Sequence, residues 1–166
     1  MATPTTLPAT FVSGAVLTAA QQNDLRGAFR VLQVVIGTTS VERSNSTTTY
    51  EDTNLTQTIT PSSTSSKILV FVAHNSNLKS NGATQNSLTL SLFRDSSNIK
   101  TLTNALGFTD TALTVIFSAN AIHLDSPASV TALVYKTQFS NFQAGSSVTV
   151  QAQSVPSSII LMEISA

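Results

Sequence analysis

Leu55-Thr-Gln-Thr-Ile-Thr-Pro-Ser-Ser-Thr-Ser-Ser-Lys-Ile-Leu-Val-Phe-Val-Ala73 reads as two β-strands around a Ser/Thr loop. Leu55, Gln57 and Ile59 point one way and Thr56, Thr58 and Thr60 the other, the period-2 alternation of a half-exposed strand. Pro61 ends the ladder because it has no main-chain N–H to donate. Ile68–Ala73 is an unbroken apolar run, short enough to be a strand covered on both faces. That reading makes Leu69 a core position and leaves Lys67, at the strand start, free to vary.

Outward from this segment, strands are the only regular element expected after Val31. The runs are Val31–Ile36, Thr48–Asp52, Leu55–Thr60, Lys67–Ala73, Ser87–Phe93, Ile99–Leu102, Ala112–Ser118, Ala121–Leu124, Val130–Phe139, Val148–Gln153 and Ser158–Ile164. Val134 is a second expected core position. Turn signals stand at Asp95-Ser96-Ser97-Asn98, Asp125-Ser126-Pro127 and Gln143-Ala144-Gly145-Ser146. Alternating strands with turns at this spacing predict a mainly β protein, an antiparallel β-sandwich of jelly-roll type.

Residues 1–30 differ in kind. Pro4 and Pro8 among Thr and Ala predict an extended arm. Thr18 and Gln21 form a capping box for a short α-helix from Ala19 to Arg30, with Leu25, Ala28, Phe29 and Leu32 on one stripe. A helix of about 12 residues is marginal alone in water, and Gly27 weakens it further. It must pack against its own sandwich, against copies of itself or against a docking partner. Phe11, Val12, Val16, Leu17, Leu25 and Phe29 are the expected docking residues. The expected division is 1–30 as arm and helix and 31–166 as the sandwich head.

The chain has 166 residues and a formal net charge of zero, with charged residues at only 10% against about 25% in ordinary soluble domains. Roughly three residues in ten are Ser or Thr, so hydroxyls rather than charges solvate it. Hydrophobic residues at 41% with no net charge are a folding composition, not a disordered one. Neutrality argues against nucleic acid as a partner, since phosphates need clustered Lys and Arg. Low net charge also favours self-association. There is no cysteine. No basic-then-apolar leader follows Met1, and no run of about 18 apolar residues could span a bilayer. The expectation is a protein made in the cytoplasm and soluble until assembled, with no membrane insertion.

Catalytic patterns are sparse. No Gly-x-Ser-x-Gly elbow, no paired histidines for zinc and no calcium loop occur. Glu51-Asp52 is the one adjacent carboxylate pair, and His123 lies in an apolar run as a structural histidine would. The expectation is no enzyme, no cofactor and no metal. The long polar connection from His74 to Asn86 is the best candidate recognition loop, with His74, Asn75, Asn77, Lys79, Asn81 and Gln85 as its donors and acceptors.

Several segments resemble the tail-fibre-like or capsid-fibre-like virion proteins of tailed bacteriophages. They are Val31-Leu32-Gln33-Val34, Thr58-Ile59-Thr60-Pro61-Ser62-Ser63 with Ser66-Lys67-Ile68, Arg94-Asp95, Asp125-Ser126-Pro127, Tyr135 and Ile160-Leu161-Met162-Glu163-Ile164. Phe11-Val12-Ser13-Gly14, with Leu17-Thr18-Ala19-Ala20 and Asn23-Asp24-Leu25, is similar to an attachment segment in front of phage fibre domains. The resemblance implies a virion structural protein, a fibre, appendage or head-decoration subunit located on the virion. It would dock through its arm to capsid, portal/neck or tail proteins and present a homotrimeric head. A receptor- or host-glycan-binding module is the alternative, and a depolymerase the third reading.

Overall fold

A computed structural model describes residues 31–165, together with Val16, Thr18 and Ala19. Apart from those three residues, the expected arm and helix, with Phe11, Val12, Leu17, Leu25 and Phe29, lie outside the described residues. Val16 is exposed.

The described chain is an antiparallel β-sandwich. Its strands are β1 (Val31–Thr39), β2 (Arg43–Asn45), β3 (Glu51–Ile59), β4 (Lys67–Lys79), β5 (Leu88–Arg94), β6 (Ser97–Leu106), β7 (Val115–Asp125), β8 (Leu133–Asn141), β9 (Val148–Val150) and β10 (Ser157–Ile164). One sheet runs β3-β8-β5-β6; the other is built on β1-β10-β4-β7, with β9 and β2 completing it beside the far half of β4. Apart from the β5–β6 hairpin, neighbouring strands are non-consecutive in the chain, the crossed connectivity of a jelly roll.

The alternation of Leu55 to Ile59 is realised as expected: Leu55 and Ile59 are buried and Thr56 and Thr58 exposed. β4 and β10 interlock in the other sheet, so Ile68, Val70, Val72, Ile159 and Leu161 close the core against Leu92, Leu133 and Tyr135. A second cluster of Leu88, Leu90, Ala119, Phe139, Val148 and Val150 fills the other half. Gly37 lies where β1 crosses β3; a Cβ there would meet the Thr56 carbonyl oxygen at 2.3 Å.

Several strand boundaries differ from the sequence reading. The two runs Thr48–Asp52 and Leu55–Thr60 are one strand, β3, with an irregularity around Asn54 at φ 66°. Ala112–Ser118 and Ala121–Leu124 are likewise one strand, β7. β9 stops at Val150 because Gln151, Gln153 and Ser154 take positive φ around a 3-10 turn. β2 has no apolar signal, and pairing with β9 makes it a strand.

Two expected core positions are corrected. Leu69 is half-buried on the outer face of its sheet, and Val134 is 36% exposed. Their neighbours Val70, Leu133 and Tyr135 point inward instead. In an unbroken apolar run both parities look alike, and only the opposing sheet decides between them.

Candidate functional site, a loop end and a sheet face

The His74–Asn86 segment is not a loop over its first half. β4 continues to Lys79, and the register shift between His74 and Asn77 carries Ser76 at φ 50°. That bulge switches the parity of the strand, so His74 faces inward before it and Asn77 and Lys79 face inward after it, all at 0% exposure. Asn75 is half-buried and donates to the Pro156 carbonyl at 3.0 Å. The recognition-loop assignment of His74, Asn75, Asn77 and Lys79 is therefore corrected: they are strand residues. Asn81 and Gln85 are exposed on the true connection, 80–87.

Asn77 Nδ2 donates to the His74 carbonyl at 3.0 Å while its Oδ1 has no partner among the described residues, and the other inward polar groups of β4 find partners on neighbouring segments. The Thr137 hydroxyl lies 2.8 Å from His74 Nε2 and 2.6 Å from the Thr53 hydroxyl. With the Gln151 carbonyl oxygen turned to the ring, His74 Nδ1–H donates to it at 3.0 Å, and the Gln151 amide N donates to the Thr53 and Val41 carbonyls. Lys79 Nζ donates to the Thr109 hydroxyl. Burial pushes the His74 pKa down to about 4, so the imidazole is neutral in the folded protein. An unfolded histidine titrates near about 6.5; below that pH the unfolded chain binds the proton more readily. Stability is thus full above about pH 6.5 and falls as pH drops toward 4. We expect His74 alone to cost about 2 kcal/mol between pH 7 and pH 4.5. Denaturant titrations of wild type and His74→Gln at both pH values check this: the variant should lose that part of the acid sensitivity.

Strand ends bring three connections together at one end of the sandwich: 80–87, 107–114 and 142–147. Ser80 N donates to Ser147 O at 3.1 Å, Gln85 N to Thr109 O at 3.0 Å and Phe142 N to Ser87 O at 2.8 Å. Phe108 and Phe142 meet edge to face at this tip, 6.3 Å between centroids and each more than two-fifths exposed. Sequence reading missed this pair because each phenylalanine is isolated in a different connection.

At the opposite end, residues that the sequence showed only as scattered marks form one cluster. Arg94 Nη1 and the Tyr135 hydroxyl both donate to Asp125 Oδ2 at 2.6 Å, and Ser126 N donates to Asp125 Oδ1 at 2.9 Å. Burial and the Asp125 carboxylate raise the Tyr135 phenol well above its usual pKa. The phenol therefore stays a donor, and the carboxylate is fully committed. This is a clasp joining β5, β7 and β8, with no nucleophile in it. Asp95 adds to it by exchanging two hydrogen bonds with the Val134 backbone. Glu163 anchors the Ile59–Ser63 turn in a similar way, accepting from Ser62 N at 2.7 Å, Ser62 Oγ at 2.6 Å and Gln33 Nε2 at 2.6 Å. Burial opposes its charge, but these donors outweigh it and hold the carboxyl below the usual range. Glu51 and Asp52 do not act as a pair: Arg43 sits 3.8 Å from Glu51, and Lys136 and Gln138 bind Asp52 at 2.9 and 2.7 Å.

The broadest feature is the outer face of the sheet β1-β10-β4-β7. Strand register aligns Val34, Met162, Leu69 and Leu124 in one cross-strand row and Ile36, Ile160, Phe71 and Ile122 in the next. The centre of each row is half-buried, while Val34, Ile36, Ile122 and Leu124 at the margins are 49–65% exposed. Phe71, Ile122 and Ile160 border a shallow apolar depression. Thr38, Ser158, Ala73 and Asn120 form a third, uncharged row. Among the described residues no group of three His, Cys, Asp or Glu side chains is placed to hold a metal.

No protein-family model matches the sequence, and no curated protein matches it. Among solved structures, the chain is similar in shape to the VP2 subviral particle of infectious bursal disease virus, with TM-score 0.47 and 10% identity over 81% of this chain and 34% of that one. VP2 of the D431N mutant, from derived T=1 particles, gives 0.39 and 12% over 80% and 36%. The structure of the Gx strain of the same virus gives 0.40 and 10% over 82% and 33%. The chain spans about a third of the length of these proteins.

Proposed function

We propose that the chain is a virion structural subunit of a tailed bacteriophage, a fibre, appendage or head-decoration protein whose segment 1–30 docks it to the particle. The observation that carries this reading is the polarity of the sandwich. Val31, where segment 1–30 joins, pairs with Ile164 at the clasp end, and the 80–87, 107–114 and 142–147 connections gather at the other. The 60–66 and 126–132 connections share the entry end, and a head entered there with three connections meeting at the far end is suited to projecting from a surface. The sequence resemblance to fibre-like virion proteins points the same way. The head is a homotrimer in this reading, and the role involves no catalysis. Deleting residues 1–30 is expected to leave a sandwich that melts cooperatively but no longer joins particles, as thermal melting and incorporation assays would show. Incorporation of the truncated protein at the wild-type level would defeat the docking assignment, and absence of the full chain from virions under immunogold labelling would defeat the reading as a whole.

A second reading, binding of a host-surface glycan, is favoured by one observation. The exposed Phe108–Phe142 pair lies among hydrogen-bonding side chains at the loop end, where Asn81 and Gln85 are exposed. Aromatic faces beside amides are the elements of a sugar site. Glycan-array binding by wild type, lost in Phe108→Ala and Phe142→Ala, would support it.

A further inference from the structure

The outer face of the β1-β10-β4-β7 sheet is apolar, and no element among the described residues packs on it. β4 and β10 carry the near-continuous hydrophobic runs of strands covered on both faces, yet the β3-β8-β5-β6 sheet covers only one of them. Leu69 and Phe71 stand on the uncovered side between Met162 and Ile160 on β10 and Leu124 and Ile122 on β7. We propose that this face is buried against copies of the same chain, packed around a common axis. The proposal deepens the reading of the chain as an assembling subunit by naming the surface and its partner.

Its size and charge fit that occupant. Four strands at about 4.8 Å spacing and two apolar rows about 6.7 Å apart give a footprint of roughly 260 Å², which the uncharged third row extends to roughly 400 Å². The whole footprint is as large as the interaction patches of soluble proteins, and with a further polar margin it makes the centre of an interface of about 800 Å² per partner. No charged side chain lies in the three rows, and the chain's net charge is zero, so copies meet without repulsion. The face is poor in donors and acceptors for a sugar and has no basic cluster for an anionic membrane.

Sedimentation equilibrium of the full chain at micromolar concentration, beside Val34→Lys and Ile122→Lys, tests the proposal. Both positions are more than half exposed in the single chain, so both variants are expected to fold and melt like wild type. Wild type should be oligomeric and each variant at least about tenfold weaker in association. A monomeric wild type, or variants that associate as tightly as wild type, would overturn the proposal. A photo-cross-linking benzophenone side chain placed at Ile122 names the occupant. Cross-links joining two chains support it, whereas cross-links to residues 1–30 of the same chain would overturn it. Both measurements use isolated protein, so they succeed or fail independently of immunogold labelling on virions.

Discussion

Val70→Asp protein is expected not to fold, whereas Leu69→Asp, one residue away, is expected to melt cooperatively as a soluble chain. Val70 is fully buried between the sheets among Ile68, Val72, Leu161 and Tyr135. A carboxylate there has no partner, so its desolvation costs several kcal/mol. Losing the buried valine adds about 2 kcal/mol. Together these approach the whole stability of an ordinary domain, about 5–15 kcal/mol. Leu69 points to the outer face, where its carboxylate replacement keeps contact with water in the single chain. Far-UV circular dichroism with thermal melting of both variants checks the pair. A folded Val70→Asp beside an unfolded Leu69→Asp would mean that β4 presents its other face to the core. In the assembled protein Leu69→Asp should also lose subunit association, since the proposed interface is centred on it.

Asp125→Ala is expected to cost about 3–5 kcal/mol, among the largest effects of any polar substitution in the chain. It strands the Arg94 guanidinium, the Tyr135 hydroxyl and the Ser126 N–H together, and the side chains of Arg94 and Asp125 are only 26% and 11% exposed. Asp125→Asn should recover part of the loss, because its amide oxygen still accepts one bond while the charge pairing is gone. The readout is the midpoint of urea unfolding, lower in Asp125→Ala with an unchanged slope. A loss below about 1 kcal/mol would mean that water replaces the carboxylate, as at exposed ion pairs.

The sequence by itself determined most of the strands and the class of fold, though β2 is a strand only through its pairing with β9. Leu55 to Ile59, Leu88 to Leu92 and the run from Ile159 to Ile164 carry their pattern in neighbouring residues, and period-2 alternation is a local property of an extended chain. Pro61 stopped β3 for an equally local reason. Tertiary structure decided which parity of each apolar run became interior, because Leu69 and Val70 are alike until an opposing sheet covers one of them. It also placed His74, Asn77 and Lys79 inside, through a single bulge at Ser76, and gave His74 and Lys79 partners far away in the chain: Thr137 on β8, Gln151 just past β9 and Thr109 in the 107–114 connection. The clasp of Arg94, Asp125 and Tyr135 and the rows of the outer face exist only once strands far apart in the chain lie side by side. Register is set by pairing between strands, and no single strand encodes its neighbour.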